Sequence, residues 1–472
     1  MRAVDLSTPR AIHVVGAGGA GMGAIASVLR SMGHRVSGSD LRDGPVVARL
    51  QAEGVPVAIG HDPANLGDAS LVAISSAIHD GNPEVRAAEA RGVPVVRRSD
   101  ILPAIASHRR TIAVAGTHGK TTTSSMLALV LRDAGLNPSF IIGGDVNEIG
   151  TGAMWDAGEW FVLEADESDR TFLAIDAEVA VVTSIEPDHL EAYGGAPSAL
   201  VDAFGEFLAA ARHRVVCADD PVAARVGAAT GATTYGTSPD ADYRMSDVSL
   251  QMPESAFDLY EGQTPLGRLT LPTPGLHNAR NAAAAVVAAI VAGAPFEDAA
   301  RALARFGGVA RRFEFRGDSS GVTFVDDYAH LPSEVAAALD AARTGAWRRV
   351  VCVFQPHRYS RVSSIGADFA HSFTGADHLV LTGIYPSGEA PRPGVTSKIV
   401  LDAVLDAHPW SSVTWLPRLD EVADWLVGRL RPGDLCLTLG AGDLTSVPDV
   451  VIERLESART TGREPEPAGA QR

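Results

Sequence analysis

Short apolar runs alternate with longer segments of helical character along most of the 472-residue chain. The apolar runs are rich in Val, Ile and Ala and are typical of buried strands. Strands that alternate with helices form parallel sheets with crossover connections, so the pattern predicts an α/β fold. The predicted strands lie at residues 11–15, 35–40, 71–74, 93–96, 111–115, 160–164, 177–183, 214–217, 322–326, 349–354, 379–382 and 434–439. The predicted helices lie at residues 19–32, 121–132, 197–211, 278–292, 332–342 and 420–430.

Breaks in this alternation predict three domains, at residues 1–106, 107–312 and 313–456, followed by a disordered tail at 457–472. We expect a Rossmann-like N-terminal domain, a central P-loop ATPase-type domain with a parallel sheet, and a Rossmann-like α/β C-terminal domain. Residues 233–272 lack a clear helical segment and alternate strand-like runs, which indicates an antiparallel excursion.

The loop with the clearest chemistry is Gly116-Thr117-His118-Gly119-Lys120-Thr121-Thr122, between a predicted strand and a predicted helix. Such a loop presents backbone N–H groups and the positive end of a helix dipole to phosphate oxygens. In such a loop Lys120 would contact the terminal phosphates, and the Thr121 hydroxyl would ligate Mg²⁺. The general P-loop has glycine where Val114 stands, so this loop is a shortened form. Lys120 and Lys398 are the two lysines of an arginine-rich chain, which favours a specific task for the Lys120 ammonium.

A second glycine-rich loop, Gly16-Ala17-Gly18-Gly19-Ala20-Gly21, follows the first predicted strand and opens a helix. Asp40 ends the second predicted strand. This arrangement is typical of a dinucleotide fingerprint, in which a diphosphate approaches the backbone and the acidic residue accepts a ribose hydroxyl. The pattern does not identify the ligand, and tight packing of the turn is the alternative.

Polar residues also follow two strands that neighbour the P-loop in the predicted sheet. Glu164 ends the run at 160–164, where a second strand supplies a carboxylate to Mg²⁺ in phosphate-transfer sites. Asp169, and with it Glu167, is interpreted as part of a solvated acidic loop. His189 follows the strand at 177–183 and is either a cation or substrate ligand or a structural histidine.

Further candidate residues lie later in the chain. Asn278 and Asn281 share one helical face, so their amides can pair with a purine edge, although helix capping is an alternative for Asn278. Two strand ends of the third segment carry the sequences Asp326-Asp327-Tyr328-Ala329-His330 and Gln355-Pro356-His357-Arg358-Tyr359-Ser360-Arg361. Arginine pairs of this kind bind carboxylate or phosphate through paired N–H groups.

Charge and composition reduce the number of functional classes to which the protein can belong. The net charge of −17 argues against nucleic-acid binding. The longest apolar stretch, Ala282 to Ala292, is too short to span a bilayer, so we expect no membrane insertion. Cys217, Cys352 and Cys436 have neither metal spacing nor pairing logic and are expected to be buried thiols, which fits a cytoplasmic protein.

Taken together, the motifs GTHGKTTT, EADESD, EPDHL, GLHNARNAAAA, RRFE, DDYAH and FQPHRYSR, with GAGGAGMG at the front, resemble those of the Mur ligases of peptidoglycan synthesis. The resemblance extends in collinear order from about residue 10 to about residue 455. It implies UDP-sugar-binding, ATP-binding and amino-acid-binding domains. It is closest to the branch that joins L-alanine to UDP-N-acetylmuramate, with ATP and Mg²⁺, through an acyl phosphate.

Residue roles are implied by position. The catalytic residues would be Lys120, His189, His330, Arg358 and Arg361. ATP would be bound by Gly116, Thr117, His118, Gly119, Lys120, Thr121, Thr122, Asn278, Asn281, Arg312 and Asp327. The UDP-sugar would be bound by Gly16, Gly18, Gly19, Gly21, Met22, Asp40, Ser75 and Ser76. The metal would be held by Thr121, Glu164 and His189. The expected assembly is a monomer or a weak homodimer.

The chain departs from the family pattern at Leu331, where a second histidine is common. It also has no lysine between Lys120 and Lys398, which excludes the carbamylated lysine that several related ligases use. Three alternatives stay open: a recycling ligase that attaches a whole peptide to the same sugar nucleotide, a nicotinamide-dependent oxidoreductase, and a nucleotide-binding regulator without catalysis.

Overall fold

The computed structural model describes residues 4–75 and 77–460. The described residues form three sheets, of five, ten and six strands, covered by helices. The predicted α/β class is confirmed. Ser76 and residues 461–472, which include most of the predicted disordered tail, lie outside the described residues.

The first sheet has the strand order β3-β2-β1-β4-β5, and all of its pairs are parallel. The order reverses between β1 and β4, which is where open α/β sheets bind ligands. The strands are β1 (Ala11–Val15), β2 (Arg35–Asp40), β3 (Val57–Ile59), β4 (Leu71–Ile74) and β5 (Val95–Arg97). The helices are α1 (Ala20–Ser31), α2 (Pro45–Ala52), α3 (Pro83–Ala90) and α4 (Arg98–Ala106).

The second sheet has the order β15-β14-β13-β12-β11-β10-β6-β9-β7-β8, so that the strand before the P-loop, β6, lies between β9 and β10. Both of those pairings are parallel. The strands are β6 (Arg110–Ala115), β7 (Ser139–Val146), β8 (Thr151–Met154), β9 (Trp160–Glu164), β10 (Val179–Val182), β11 (His213–Cys217), β12 (Thr233–Gly236), β13 (Tyr243–Ser249), β14 (Ser255–Glu261) and β15 (Thr264–Leu271). The helices are α5 (Lys120–Asp133), α6 (Pro197–Ala210), α7 (Pro221–Thr230), α8 (Leu276–Val291) and α9 (Phe296–Leu303).

The third sheet has the order β16-β17-β21-β18-β19-β20, and only its edge pair β16–β17 is antiparallel among the described strands. The strands are β16 (Glu314–Ser319), β17 (Val322–Asp327), β18 (Arg349–Phe354), β19 (His378–Leu381), β20 (Val413–Trp415) and β21 (Asp434–Leu439). The helices are α10 (Pro332–Arg343), α11 (Tyr359–Ile365), α12 (Lys398–Ala407), α13 (Leu419–Arg429) and α14 (Val447–Thr460).

Within the described residues the chain forms two compact units. Of these residues, the first unit comprises 4–75, 77–248, 256–271 and 278–307, and the second comprises 249–255, 272–277 and 308–460. The predicted boundary at residue 106 falls inside the first unit, because one hydrophobic core includes both Ile25 of α1 and Phe204 of α6. The boundary at 312 lies just beyond the start of the second unit at Gly308.

Two expectations about local structure need correction. In the region 233–272, β12 joins the sheet in parallel with both β11 and β13, so the excursion is not antiparallel at its start. At the other end, α14 continues through Thr460, so residues 457–460 of the predicted tail are helical. The three cysteines are free and buried as expected. Among the described residues, no helix has the length and apolarity needed to cross a membrane.

Candidate active site

The P-loop turn is built around two glycines with positive φ. Gly116 has φ of +132° and Gly119 has φ of +79°, conformations that side chains rarely tolerate. A Cβ atom at Gly119 would collide with the amide oxygen of Asn281, and one at Gly116 would collide with the Thr183 hydroxyl. The fold therefore brings Asn281, a predicted ATP-site residue, against the P-loop. The first amides of α5 lack acceptors within the helix and are suited to bind anionic groups.

The ammonium of Lys120 is held by the loop and by one acidic residue. Its Nζ atom donates to the Gly116 carbonyl at 2.5 Å and the Thr117 carbonyl at 3.3 Å. It also lies 3.0 Å and 2.9 Å from the two carboxylate oxygens of Glu167. Burial opposes the charge on Lys120, but the Glu167 carboxylate outweighs this effect and raises the pKa of the ammonium.

Glu167 is therefore not part of a solvated loop, and that interpretation was wrong. Its side chain is buried, at 3% exposure of the residue. The chain turns back after β9 and directs this carboxylate to Lys120, while the Tyr193 hydroxyl donates to the Glu167 carbonyl at 2.6 Å. The EADESD motif indicated the region, but its pattern does not show which of its carboxylates contacts Lys120.

The predicted metal ligands Thr121 and Glu164 are in direct contact. The Thr121 hydroxyl donates to Glu164 Oε1 at 3.0 Å, and the Gly143 amide donates to Oε2 at 2.6 Å. A hydroxyl and a carboxylate are the hard oxygen donors that Mg²⁺ prefers, so this pair fits the expected ion.

The third predicted ligand, His189, is held elsewhere. Its imidazole lies 3.3 Å from Asp188 and 3.9 Å from Glu191, and its backbone has φ of +51°. In the described part of the chain no contact joins it to Thr121 or Glu164. Nor do three or more His, Cys, Asp or Glu side chains gather there in an arrangement that could hold a metal ion.

Thr117 and His118 brace the P-loop from the side of β10. The Thr117 hydroxyl accepts from the Glu186 amide at 2.8 Å, and the Thr117 amide donates to the Ser184 carbonyl at 3.0 Å. The His118 amide donates to the Ser184 hydroxyl at 3.0 Å, and its ring lies 3.3 Å from the Glu186 carboxylate. The loop after β10 therefore fixes the shape of the phosphate-binding turn.

The glycine loop of the first sheet is held by the end of β2. The amides of Gly16 and Ala17 donate to the Ser39 carbonyl at 2.8 Å and 3.0 Å. The Gly18 amide donates to Asp40 Oδ2 at 2.8 Å, and a Cβ atom at Gly18 would lie 2.8 Å from that carboxylate. Asp40 thus supports the loop as well as lying at the predicted UDP-sugar site.

Other predicted UDP-sugar residues have mixed surroundings. The ends of β1 and β4 lie close together, because the Ser75 hydroxyl would be 3.9 Å from a Cβ atom at Gly16. Gly19 precedes α1, and Gly21 lies in its first turn. The Met22 side chain, however, packs in the hydrophobic core at 3% exposure, so only its backbone is available to a ligand.

At the carboxyl edge of the third sheet, Asp327 is buried and braced by backbone amides. It accepts from Phe313 and Ala329, each at 2.7 Å. Burial raises the pKa of Asp327 to about 6, although the Arg312 guanidinium opposes that shift. Arg312 itself lies with its guanidinium carbon 5.0 Å from the centre of the Tyr328 ring.

The residues predicted to meet alanine form a cluster at the same edge. The His330 and His357 rings lie 5.5 Å apart, and His357 stacks on Tyr385. Arg361 Nη1 donates to His357 Nδ1 at 3.0 Å. Burial, with the charges of His330 and Arg361, lowers the pKa of His357 to about 3, so its ring is a neutral acceptor. The sequence motif contains His357, but its pattern does not predict a role for that side chain.

Arg358 and Leu331 complete that edge. Arg358 has φ of +65°, a strained conformation for a residue with a side chain, and its buried Nε atom has no hydrogen-bond partner among the described residues. Leu331, which stands where the family pattern often has histidine, is 5% exposed and precedes α10. An apolar side chain is accommodated at this position by burial.

Three family descriptions match consecutive parts of the chain. Residues 11–110 match the Mur ligase family catalytic domain, residues 114–289 the Mur ligase middle domain, and residues 311–442 the Mur ligase glutamate ligase domain.

Individual relatives extend this similarity over nearly the whole chain. The chain is 43% identical over 454 residues to the UDP-N-acetylmuramate–L-alanine ligase of Geobacter sp. (strain M21), covering 95% of this chain and 98% of the relative. It is 42% identical over 466 residues to the ligase of the same name from Agrobacterium fabrum, covering 96% and 99%. The solved structure of UDP-N-acetylmuramate–alanine ligase from Thermotoga maritima is similar with a TM-score of 0.81 at 28% identity, covering 95% of this chain and all of that one.

Proposed function

The chain belongs to the Mur ligase family, and from that premise we propose that it joins L-alanine to the lactyl carboxylate of UDP-N-acetylmuramate at the expense of ATP. This reaction makes a peptidoglycan precursor. The observation that carries the proposal is that the Lys120–Glu167 and Thr121–Glu164 contacts lie at one sheet edge, in a chain so similar to ligases of that name.

The chemistry explains why a phosphate-binding site is needed for amide formation. A carboxylate is a poor electrophile, and its conversion by ATP into an acyl phosphate supplies a leaving group. The amine of L-alanine then attacks the carbonyl carbon, and inorganic phosphate leaves. Both steps concentrate negative charge on phosphoryl or carbonyl oxygens, which a fixed cation stabilises strongly in a site shielded from water.

In this proposal Lys120 exchanges its Glu167 and loop-carbonyl partners for the phosphate oxygens of ATP. Thr121 and Glu164 would hold Mg²⁺, which neutralises phosphate charge when bound. Asn278 and Asn281, both buried on α8, would meet the adenine.

The remaining substrate-binding roles fall to residues of the first and third sheets. The cluster of His330, Arg358 and Arg361 would bind the alanine carboxylate and the acyl phosphate, since arginine forks onto both groups. The loop from Gly16 to Gly21 would hold the UDP moiety. We also propose that the enzyme acts in the cytoplasm, which agrees with its free cysteines. Its assembly would be a monomer or a weak homodimer.

The experiment that tests the function is ADP release by the full-length protein. We expect release that requires both UDP-N-acetylmuramate and L-alanine, and that is lost in Lys120→Ala. Lys398→Ala is the matched control, because the other lysine is exposed on α12 against Trp415. ATP hydrolysis that is insensitive to the sugar nucleotide would contradict the proposal, and so would turnover with a cell-wall tripeptide but not with L-alanine.

A further inference from the structure

Arg98 is a cation that lies between the glycine loop of the first sheet and the loop after β9, and neither loop motif contains it. It is the first residue of α4 and follows directly after β5, at the carboxyl edge of the first sheet. Its side chain is 28% exposed. Among the described residues its guanidinium makes no hydrogen bond, and its one ion pair, to Asp166, is long at 3.6 Å. A guanidinium has five N–H donors, so most of its capacity is unused.

On one side, Arg98 lies against the glycine loop of the first sheet. A Cβ atom placed on Gly21 would be 3.9 Å from both Cζ and Nε of Arg98. Gly21 belongs to the first turn of α1, where backbone N–H groups favour an anion. The Asp40 carboxylate already lies on this loop and would repel a diphosphate. The guanidinium supplies the positive charge that the loop itself lacks.

On its other side, Arg98 is oriented by the loop after β9. Asp166 is anchored there, because its Oδ1 atom accepts from the Ser168 amide at 2.9 Å. The next residue is Glu167, which holds Lys120. The 3.6 Å pair therefore links the glycine loop of the first sheet to the P-loop site through two adjacent carboxylates.

We infer that Arg98 binds the diphosphate of the UDP-sugar, and that Asp166 is a positioning residue that orients its guanidinium. The inference rests on the proposed function for the identity of the ligand. A planar guanidinium can pair with Asp166 through one edge and with phosphate oxygens through its other N–H groups. Because Gly21 has no side chain, it leaves space in which the Arg98 guanidinium and the phosphate oxygens can approach each other.

The test is titration calorimetry of the full-length protein with UDP and, separately, with UDP-N-acetylmuramate, without ATP. We expect Arg98→Ala to weaken both ligands about tenfold or more, the usual effect of losing a charge-assisted contact. Arg98→Lys, which keeps the charge but not the fork, should fall between. Arg97→Ala is the matched control, since the neighbouring guanidinium is 56% exposed and pairs at 3.8 Å with Asp80.

The test of Asp166 requires a measurement that a purely structural role of this residue would leave unchanged. Asp166→Asn should weaken UDP by a smaller factor than Arg98→Ala, and Asp166→Glu should restore part of the loss. In Arg98→Ala the Asp166→Asn change should have no further effect on UDP, because its action passes through the guanidinium.

Three results would overturn the inference. One is unchanged UDP affinity in a folded Arg98→Ala protein that is otherwise active, which would leave the proposed function standing. Another is a loss confined to UDP-N-acetylmuramate, which would assign Arg98 to the lactyl carboxylate instead. A wild-type protein that binds neither ligand would overturn the inference together with the proposed function.

Discussion

The ammonium of Lys120 lies within 3.0 Å of both carboxylate oxygens of Glu167, and both residues are shielded from solvent. The P-loop lysine therefore has a protein carboxylate where phosphate oxygens are expected. A buried ion pair of this kind stabilises the fold only while both partners are present, because removing one leaves the other charged and unpaired.

The first prediction concerns stability. Lys120→Ala should lower the free energy of unfolding by about 3 kcal/mol, since it leaves Glu167 as an uncompensated buried carboxylate. The double variant Lys120→Ala/Glu167→Ala should recover most of that loss without recovering ADP release. Urea unfolding followed by circular dichroism measures both, with Lys398→Ala as the control. Additive losses in the double variant would contradict the ion pair.

The second prediction concerns nucleotide affinity. Glu167→Gln removes the negative charge that competes with ATP for Lys120, so ATP should bind more tightly, by about fivefold if the competing contact is worth about 1 kcal/mol. Titration calorimetry with ATP at fixed Mg²⁺ measures the change. Glu191→Gln, an exposed carboxylate at the same sheet edge, is the control. Weaker binding in Glu167→Gln would mean that this carboxylate helps to hold the nucleotide.

Three strands that are buried along most of their length could be predicted to the residue. Trp160–Glu164, Arg349–Phe354 and Asp434–Leu439 match the predicted runs because continuous apolar sequence leaves one position for each strand. The strands that were missed include Val57–Ile59, which lies at a sheet edge, and Ser139–Val146, which contains two glycines, and both lack such a run. Their place depends on neighbours that the local sequence does not specify.

The contact between Thr121 and Glu164 could be predicted from the order of the strands. Thr121 and Glu164 meet because β6 and β9 are adjacent parallel strands whose carboxyl ends share one edge. The partners of Lys120 and Arg98 depend instead on how the loop at 165–170 folds back, and no periodicity encodes that path. The pairing of Asp166 with Arg98 and of Glu167 with Lys120 therefore required the three-dimensional structure.

The third prediction concerns the metal. Glu164→Gln should raise the Mg²⁺ concentration needed for half-maximal ADP release by about tenfold or more, because a neutral amide oxygen is a weaker ligand than a carboxylate. Thr121→Val should act in the same direction, whereas Thr121→Ser keeps the hydroxyl and should stay close to wild type. Titration of activity with MgCl₂ at saturating ATP measures these shifts. Equal Mg²⁺ dependence in all variants would remove Thr121 and Glu164 from the metal site.

The last prediction concerns a buried carboxylate beneath the glycine loop of the first sheet. Glu84 accepts from the Ser39 hydroxyl at 2.6 Å and the Asn65 amide at 2.7 Å, and His13 lies 3.7 Å away. Burial opposes its charge, but the interactions with His13, Ser39 and Asn65 lower the pKa of Glu84 from 4.5 to about 2. The Ser39 carbonyl in turn holds the amides of Gly16 and Ala17, so this network supports the loop.

Since the pKa of Glu84 is lower in the folded protein than in the unfolded chain, its contribution to stability is present above pH 4.5 and is lost as the pH falls towards 2. The full shift corresponds to about 3 kcal/mol. Urea unfolding at a series of pH values should show a smaller acid-side decline in Glu84→Gln, which should already be less stable at pH 7. Glu89→Gln, an exposed glutamate on the same helix, should follow the wild-type curve. An unchanged acid-side slope in Glu84→Gln would show that this carboxylate does not account for the loss of stability at low pH.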